Sequence, residues 1–143
     1  MITFSENKLI IGKVIITLPI RIKQILVIDD NILAALGFDA TLDCGYIDNW
    51  SSQIDDKWNE LNKNFKKPAL FCFDKSGTLK WEFTLRGFFD ISKLDNDSIE
   101  NDLRIKSWVQ KNPEKTDVFI VYGDDKLLVD YKTGVIYQRL EMR

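Results

Sequence analysis

Residues 69–83 read ALFCFDKSGTLKWEF, and the fold is decided by this stretch. Leu70, Phe71, Cys72 and Phe73 form an apolar run, with strand-favouring bulk at the two phenylalanines. Asp74-Lys75-Ser76-Gly77 follows. An aspartate at the start of such a segment hydrogen-bonds its own downstream backbone, and a glycine at its end tolerates positive φ. From Thr78 to Phe83 the chain alternates: Leu79, Trp81 and Phe83 on one face, Lys80 and Glu82 on the other. That is the pattern of a half-buried strand, so the whole stretch predicts a β-hairpin. A similar unit returns at residues 127–140, LLVDYKTGVIYQRL, with one more residue between the turn aspartate, Asp130, and the turn glycine, Gly134.

Toward the N-terminus, residues 2–5 predict a short strand, and residues 8–18, KLIIGKVIITL, predict two strands about Gly12-Lys13, ended by Pro19. Ile25, Leu26, Val27 and Ile28 form a continuous apolar run of the kind expected of a strand buried on both faces. With the turn Asp29-Asp30-Asn31 and a second strand over residues 32–38, residues 24–38 make another hairpin, in which Gly37 marks a bulge or a close approach. The acidic turn recurs at Asp124-Asp125. Residues 39–51 read as a polar loop. Residues 53–65 carry Ile54, Trp58, Leu61 and Phe65 on one helical stripe, with Ser52 as N-cap, Asp55 near the positive end and Pro68 as the stop.

Toward the C-terminus, residues 85–94 have no clear period. Asp97 is then the expected N-cap of a second helix, with Glu100 as its capping-box partner, and Ile99, Leu103, Ile105, Trp108 and Val109 form a broad stripe before Asn112-Pro113 ends it. Residues 117–122, 126–131 and 135–141 complete a three-stranded meander. The expectation is a single domain over residues 1–143, α+β but mainly β: a twisted antiparallel sheet of hairpins with two inserted helices.

Composition bounds the chemistry. The chain has 143 residues, 45% of them hydrophobic and 29% charged, enough apolar material for a core. It contains no histidine, which removes Ser-His-Asp and Cys-His catalysis and histidine-ligated metals. Cys44 and Cys72 are too few for a cysteine-only zinc site, and Cys72, between two phenylalanines, reads as a core side chain. No metal or other cofactor is expected. A net charge of −2 argues against nucleic acid as partner. No apolar run reaches the roughly 20 residues that span a bilayer, and no basic-then-apolar leader opens the chain, so no membrane association and a cytoplasmic home are expected.

The hairpin built on Phe71, Phe73, Asp74, Gly77, Leu79 and Trp81 resembles the blades of β-propellers. The wider pattern adds Leu18-Pro19-Ile20, the turn at residues 28–32, the FCFDKSGTLKW hairpin and the turn from Asp130 to Gly134. It is similar to small bacterial proteins with an incomplete, propeller-like sheet, among them immunity proteins encoded beside polymorphic or contact-dependent toxins. The resemblance covers about half of the chain, in its strands, and implies a cytoplasmic protein that binds and neutralises a cognate toxin, for instance a nuclease, as a monomer or as a heterodimer with that toxin.

A toxin that grips phosphates is basic, and an inhibitor gains from acidic side chains around an aromatic anchor. The candidate partner-binding residues are therefore Trp50, Asp55, Asp56 and Glu60, then Asp97 and Glu100, and Asp124 with Asp125. Each also has an ordinary explanation: acids compensate helix starts, and Asp-Asp is common in turns. A structural or assembly role is the alternative, with the last strand pairing another chain at a sheet edge, against which Arg139, Glu141 and Arg143 stand as protecting charges. A carboxylate-dependent hydrolase is the weaker alternative, because adjacent acids on a strand point to opposite faces; the chain is expected not to be an enzyme.

Overall fold

The computed structural model describes residues 1–37, 69–85 and 89–141. Strands β1 (Ile2–Ser5), β2 (Lys8–Ile11) and β3 (Val14–Thr17) form a three-stranded meander. Strands β4 (Ile22–Ile28), β5 (Asn31–Leu36), β6 (Leu70–Asp74) and β7 (Leu79–Phe83) form a four-stranded sheet in that order. Strands β8 (Asp90–Lys93), β9 (Val118–Tyr122), β10 (Asp125–Asp130) and β11 (Ile136–Glu141) form another. Helices α1 (Asn96–Asn101) and α2 (Leu103–Lys111) lie between β8 and β9 in the chain. Among the described residues all strand pairs are antiparallel. Among the described residues no sheet closes into a barrel. The architecture is α+β, mainly β, and its hairpins are shared among three sheets. The four-stranded meander, the unit of a propeller blade, occurs twice.

The period of two along each strand builds a stack of layers. Ile32, Ala34 and Leu36 of β5, with Phe71 and Phe73 of β6, face Leu9 and Ile11 of the first sheet. The alternate residues Leu33, Ala35, Leu70 and Cys72 face Phe119, Val121, Leu127 and Val129 of the third sheet. On the far side of that sheet Val118, Ile120 and Leu128 pack on Ile105 of α2. The order is thus sheet, sheet, sheet, helices. Small residues oppose large ones where layers meet closely, as Ala34 does Phe71 across the β5–β6 pair.

The hairpin that opened the sequence reading is present, and its turn is held as the residue types require. Asp74 Oδ1 accepts from the backbone N–H of Ser76 at 2.9 Å and of Thr78 at 3.0 Å, and Gly77 takes φ of 88°. Two local readings are corrected. A bulge at Lys80, just before Trp81, pairs Leu79 with Phe73 rather than continuing the Trp81 face, and Leu79 is exposed. The apolar run of β4 is only half-buried, because β4 lies at the edge of its sheet; the strand covered on both faces is β5. Of the two readings of Gly37, the close approach holds, against the Lys23 side chain; the bulge lies on the opposing strand, at Lys23. The predicted helix over residues 53–65, the loop before it and Cys44 lie outside the described residues.

Gln24 and Tyr131 are among the side chains that tie the large sheets together. Gln24 of β4 bonds both backbone groups of Ile91, donating to its carbonyl at 2.7 Å and accepting from its N–H at 3.0 Å, as a neighbouring strand would. Tyr131, just after β10, donates its hydroxyl proton toward Asp29 Oδ2 at 2.8 Å and lies 3.1 Å from Asp117 Oδ1. A hydroxyl has one proton to give. Asp117 also has Lys132 at 3.3 Å, so the proton is best spent on Asp29. Burial, reinforced by both carboxylates, pushes the Tyr131 phenol well above its ordinary range. Its backbone carbonyl accepts from Trp81 Nε1 at 2.9 Å and from the Cys72 thiol at 3.6 Å.

Candidate functional site

The acidic positions singled out in the sequence are divided by the structure. Trp50, Asp55, Asp56 and Glu60 lie outside the described residues. Asp97 is exposed in the first turn of α1, and Asp124 is exposed in the β9–β10 turn. Glu100 has Lys106 at 3.3 Å, and Asp125 has Arg139 at 3.6 Å. The start of α2 is joined to the start of β10 by Asp102 and Lys126, 2.7 Å apart, so Glu100 and Asp125 belong to one neighbourhood. That neighbourhood is laced with its own cations. The capping-box reading of Asp97 and Glu100 is corrected: the N-cap is Asp95, whose Oδ1 accepts from Ser98 N–H at 2.8 Å. This phase sets Leu94 and Ile99 in the flanking positions where apolar residues staple a helix start, and both pack on the Ile105 cluster.

A different feature stands out on the same helical layer. A groove of about 610 Å³ runs between α2 and the edge strand β11. From the helix side it is lined by Leu103, Arg104, Ser107, Trp108 and Lys111, with Asn112 and Lys115 beyond the helix end. From β11 come Tyr137, Gln138 and Leu140. The helical members recur at three- and four-residue spacing because that spacing repeats one helix face.

The floor is fixed in place. The Trp108 and Tyr137 rings stack with centroids 5.9 Å apart. The Tyr137 hydroxyl donates to Asp130 Oδ2 at 3.0 Å; burial and that carboxylate raise its phenol above the ordinary value. Asn112, the C-cap of α2, donates its side-chain amide to the Trp108 carbonyl at 2.8 Å. Lys115 places its ammonium 4.4 Å from the centre of the Tyr137 ring. Leu103 is 79% exposed at the other end. The groove therefore joins an apolar end, a rigid aromatic floor and a cationic end.

What this arrangement offers is a contact surface of apolar, aromatic and cationic side chains. None of the lining side chains is a carboxylate or a thiol. Among the described residues no group of three or more His, Cys, Asp or Glu side chains is placed to hold a metal ion. Cys72 is buried, which pushes its thiol up to about 11 and keeps it protonated and inert. Among the described residues no helix is long and apolar enough to cross a membrane.

Sequence reasoning missed the groove because its residues were read as core. Leu103 and Trp108 belong to the stripe assigned to the second helix, and that stripe is too broad for one buried face. The surplus was the available signal: Ile105 is buried, Leu103 is not. Tyr137, twenty-nine positions on, joins Trp108 only through the β10–β11 pairing. No protein-family model, no curated protein and no solved structure matches the chain.

Proposed function

We propose that the chain is a protein-binding module that acts in the cytoplasm as an immunity protein, binding a cognate bacterial toxin and neutralising it. The observation that supports a binding role is the α2–β11 groove. Aromatic, arginine and leucine side chains converge there on a floor whose rotamers are already locked, so little ordering entropy is lost on association. The immunity role adds the resemblance of the hairpin pattern to the immunity proteins described above.

The edge of β11 is a weaker site for assembly by strand addition. The carbonyl of Arg139 accepts from the Gln138 side chain at 3.3 Å, and that of Glu141 accepts from Arg104. Acceptors that an incoming strand would use are thus engaged by side chains. A carboxylate-dependent hydrolase finds little support: Asp90, Asp102 and Asp125 pair with Lys23, Lys126 and Arg139, and Asp29 and Asp117 hold the Tyr131 hydroxyl in a structural tie.

The test is co-expression with the product of the adjacent gene, followed by size exclusion and a growth assay. A one-to-one complex and restored growth of cells expressing the neighbour are expected. A harmless neighbour that forms no complex would sink the immunity reading.

A further inference from the structure

We infer that the α2–β11 groove takes a short acidic segment of a partner protein, with an aromatic or aliphatic anchor beside the acids. This rests on the protein-binding reading and names the chemistry of the partner. The argument is one of charge and order along the groove. The chain carries 22 acidic against 20 basic residues, yet the groove has Arg104, Lys111 and Lys115 and no carboxylate among its lining side chains. Arg104 is engaged by Asp102 at 3.6 Å and by the Glu141 carbonyl. Lys111 and Lys115 make no ion pair among the described residues, and Lys115 rests on the Tyr137 ring.

Lys111 by itself is ordinary compensation of a helix C-terminus. Lys115 lies beyond the helix and has no such duty. Two ammonium groups without an ion partner among the described residues, next to a stacked aromatic floor, form a site that favours a carboxylate. The apolar end lies at Leu103. From Leu103 to Lys111 the helix rises about 12 Å, the reach of about four residues of extended chain. The occupant therefore places its anchor near Leu103 and its carboxylates about four residues away. An extended phosphate backbone fits less well, because it needs cations along its whole length, whereas the Leu103 end of the groove is apolar and its Arg104 is engaged by Asp102 and the Glu141 carbonyl.

The experiment is a titration of the 143-residue, ¹⁵N-labelled chain followed by its amide resonances. Three probes are used: a synthetic acidic peptide with one phenylalanine, the same peptide with Gln and Asn for its acids, and oligothymidylate. Saturable shifts over residues 103–115 and 137–140 are expected with the acidic peptide, weakened roughly tenfold or more for the neutral peptide and for the Lys111→Glu/Lys115→Glu variant. Those lysines are exposed or half-buried, so the variant keeps its fold, and its own spectrum checks this. Equal binding of the neutral peptide, shifts confined to other surfaces, or tighter binding of oligothymidylate at the groove would each overturn the inference. In a complex with the neighbouring toxin, unchanged affinity of the double variant overturns it too, while leaving the protein-binding reading in place.

Discussion

Gly134 has φ of 78°, and a Cβ built there would lie 2.8 Å from Trp81 Cδ2. The indole has nowhere to go: it is stacked against Phe83 and Phe119 and bonded to the Tyr131 carbonyl. Gly12, at φ of 60°, faces open space. The two glycines separate backbone strain from crowding. Gly12→Ala is expected to cost about 1 kcal/mol, the left-handed penalty alone, and Gly134→Ala about 2–4 kcal/mol, with overpacking added. Urea denaturation of the two variants measures the difference, and equal losses would mean that Trp81 yields. Residue by residue, the turns were legible: Asp74 to Gly77 and Asp130 to Gly134 announce themselves by residue type. What lies across from Gly134 was not. Alternation tells which face Trp81 occupies, but not that a turn some fifty positions later covers it. The same limit applies to Leu79, whose face depends on a bulge that no residue type in the hairpin signals.

Among the elements, the break between α1 and α2 repays attention. Asp102 ends the first helix and caps the second, accepting from Arg104 N–H at 2.9 Å, and it holds Lys126 of β10 at 2.7 Å. The Lys126 contact, helped by the Arg104 N–H, outweighs burial and holds its carboxyl down from 3.8 to about 2. A carboxyl depressed on folding stabilises the folded state above its unfolded pKa and loses that contribution as pH falls through the folded one. Asp102→Asn, which keeps a capping side chain, is therefore expected to cost about 1 kcal/mol above pH ~4 and progressively less toward pH ~2. Denaturant titrations of both proteins across that range check it; a difference that does not change with pH would assign the cost to capping alone. Existence and end of a helix here were legible from Asn112-Pro113 and the apolar stripe. The phase was not. Four acids, Asp95, Asp97, Glu100 and Asp102, offer several capping registers, and tertiary burial of Ile105 with the Leu94–Ile99 staple selects one.

On the scale of the whole molecule, three sheets and a helical layer share residues that alternate between neighbouring interfaces. That explains why a sequence of short strands with continuous apolar runs, such as those at β5, β6, β9 and β10, reads as mainly β without revealing how many sheets there are: a strand covered on both sides shows no polar face. It also explains why the expected acidic surface and the observed groove differ. Acids in turns and helix starts are visible one by one, whereas a concavity made by α2 and β11 exists only once the third sheet is assembled. The layered scaffold presents Trp108, Tyr137 and Leu103 from regular elements, which hold a binding face more firmly than loops do. The central claim is that this face meets the partner. Its most direct test is amide hydrogen exchange of the chain alone and in complex with the co-expressed neighbour. New protection over residues 103–115 and 137–140 is the predicted result. Protection confined to the β1–β3 sheet or to the acidic β9–β10 turn, with the groove unchanged, would contradict it.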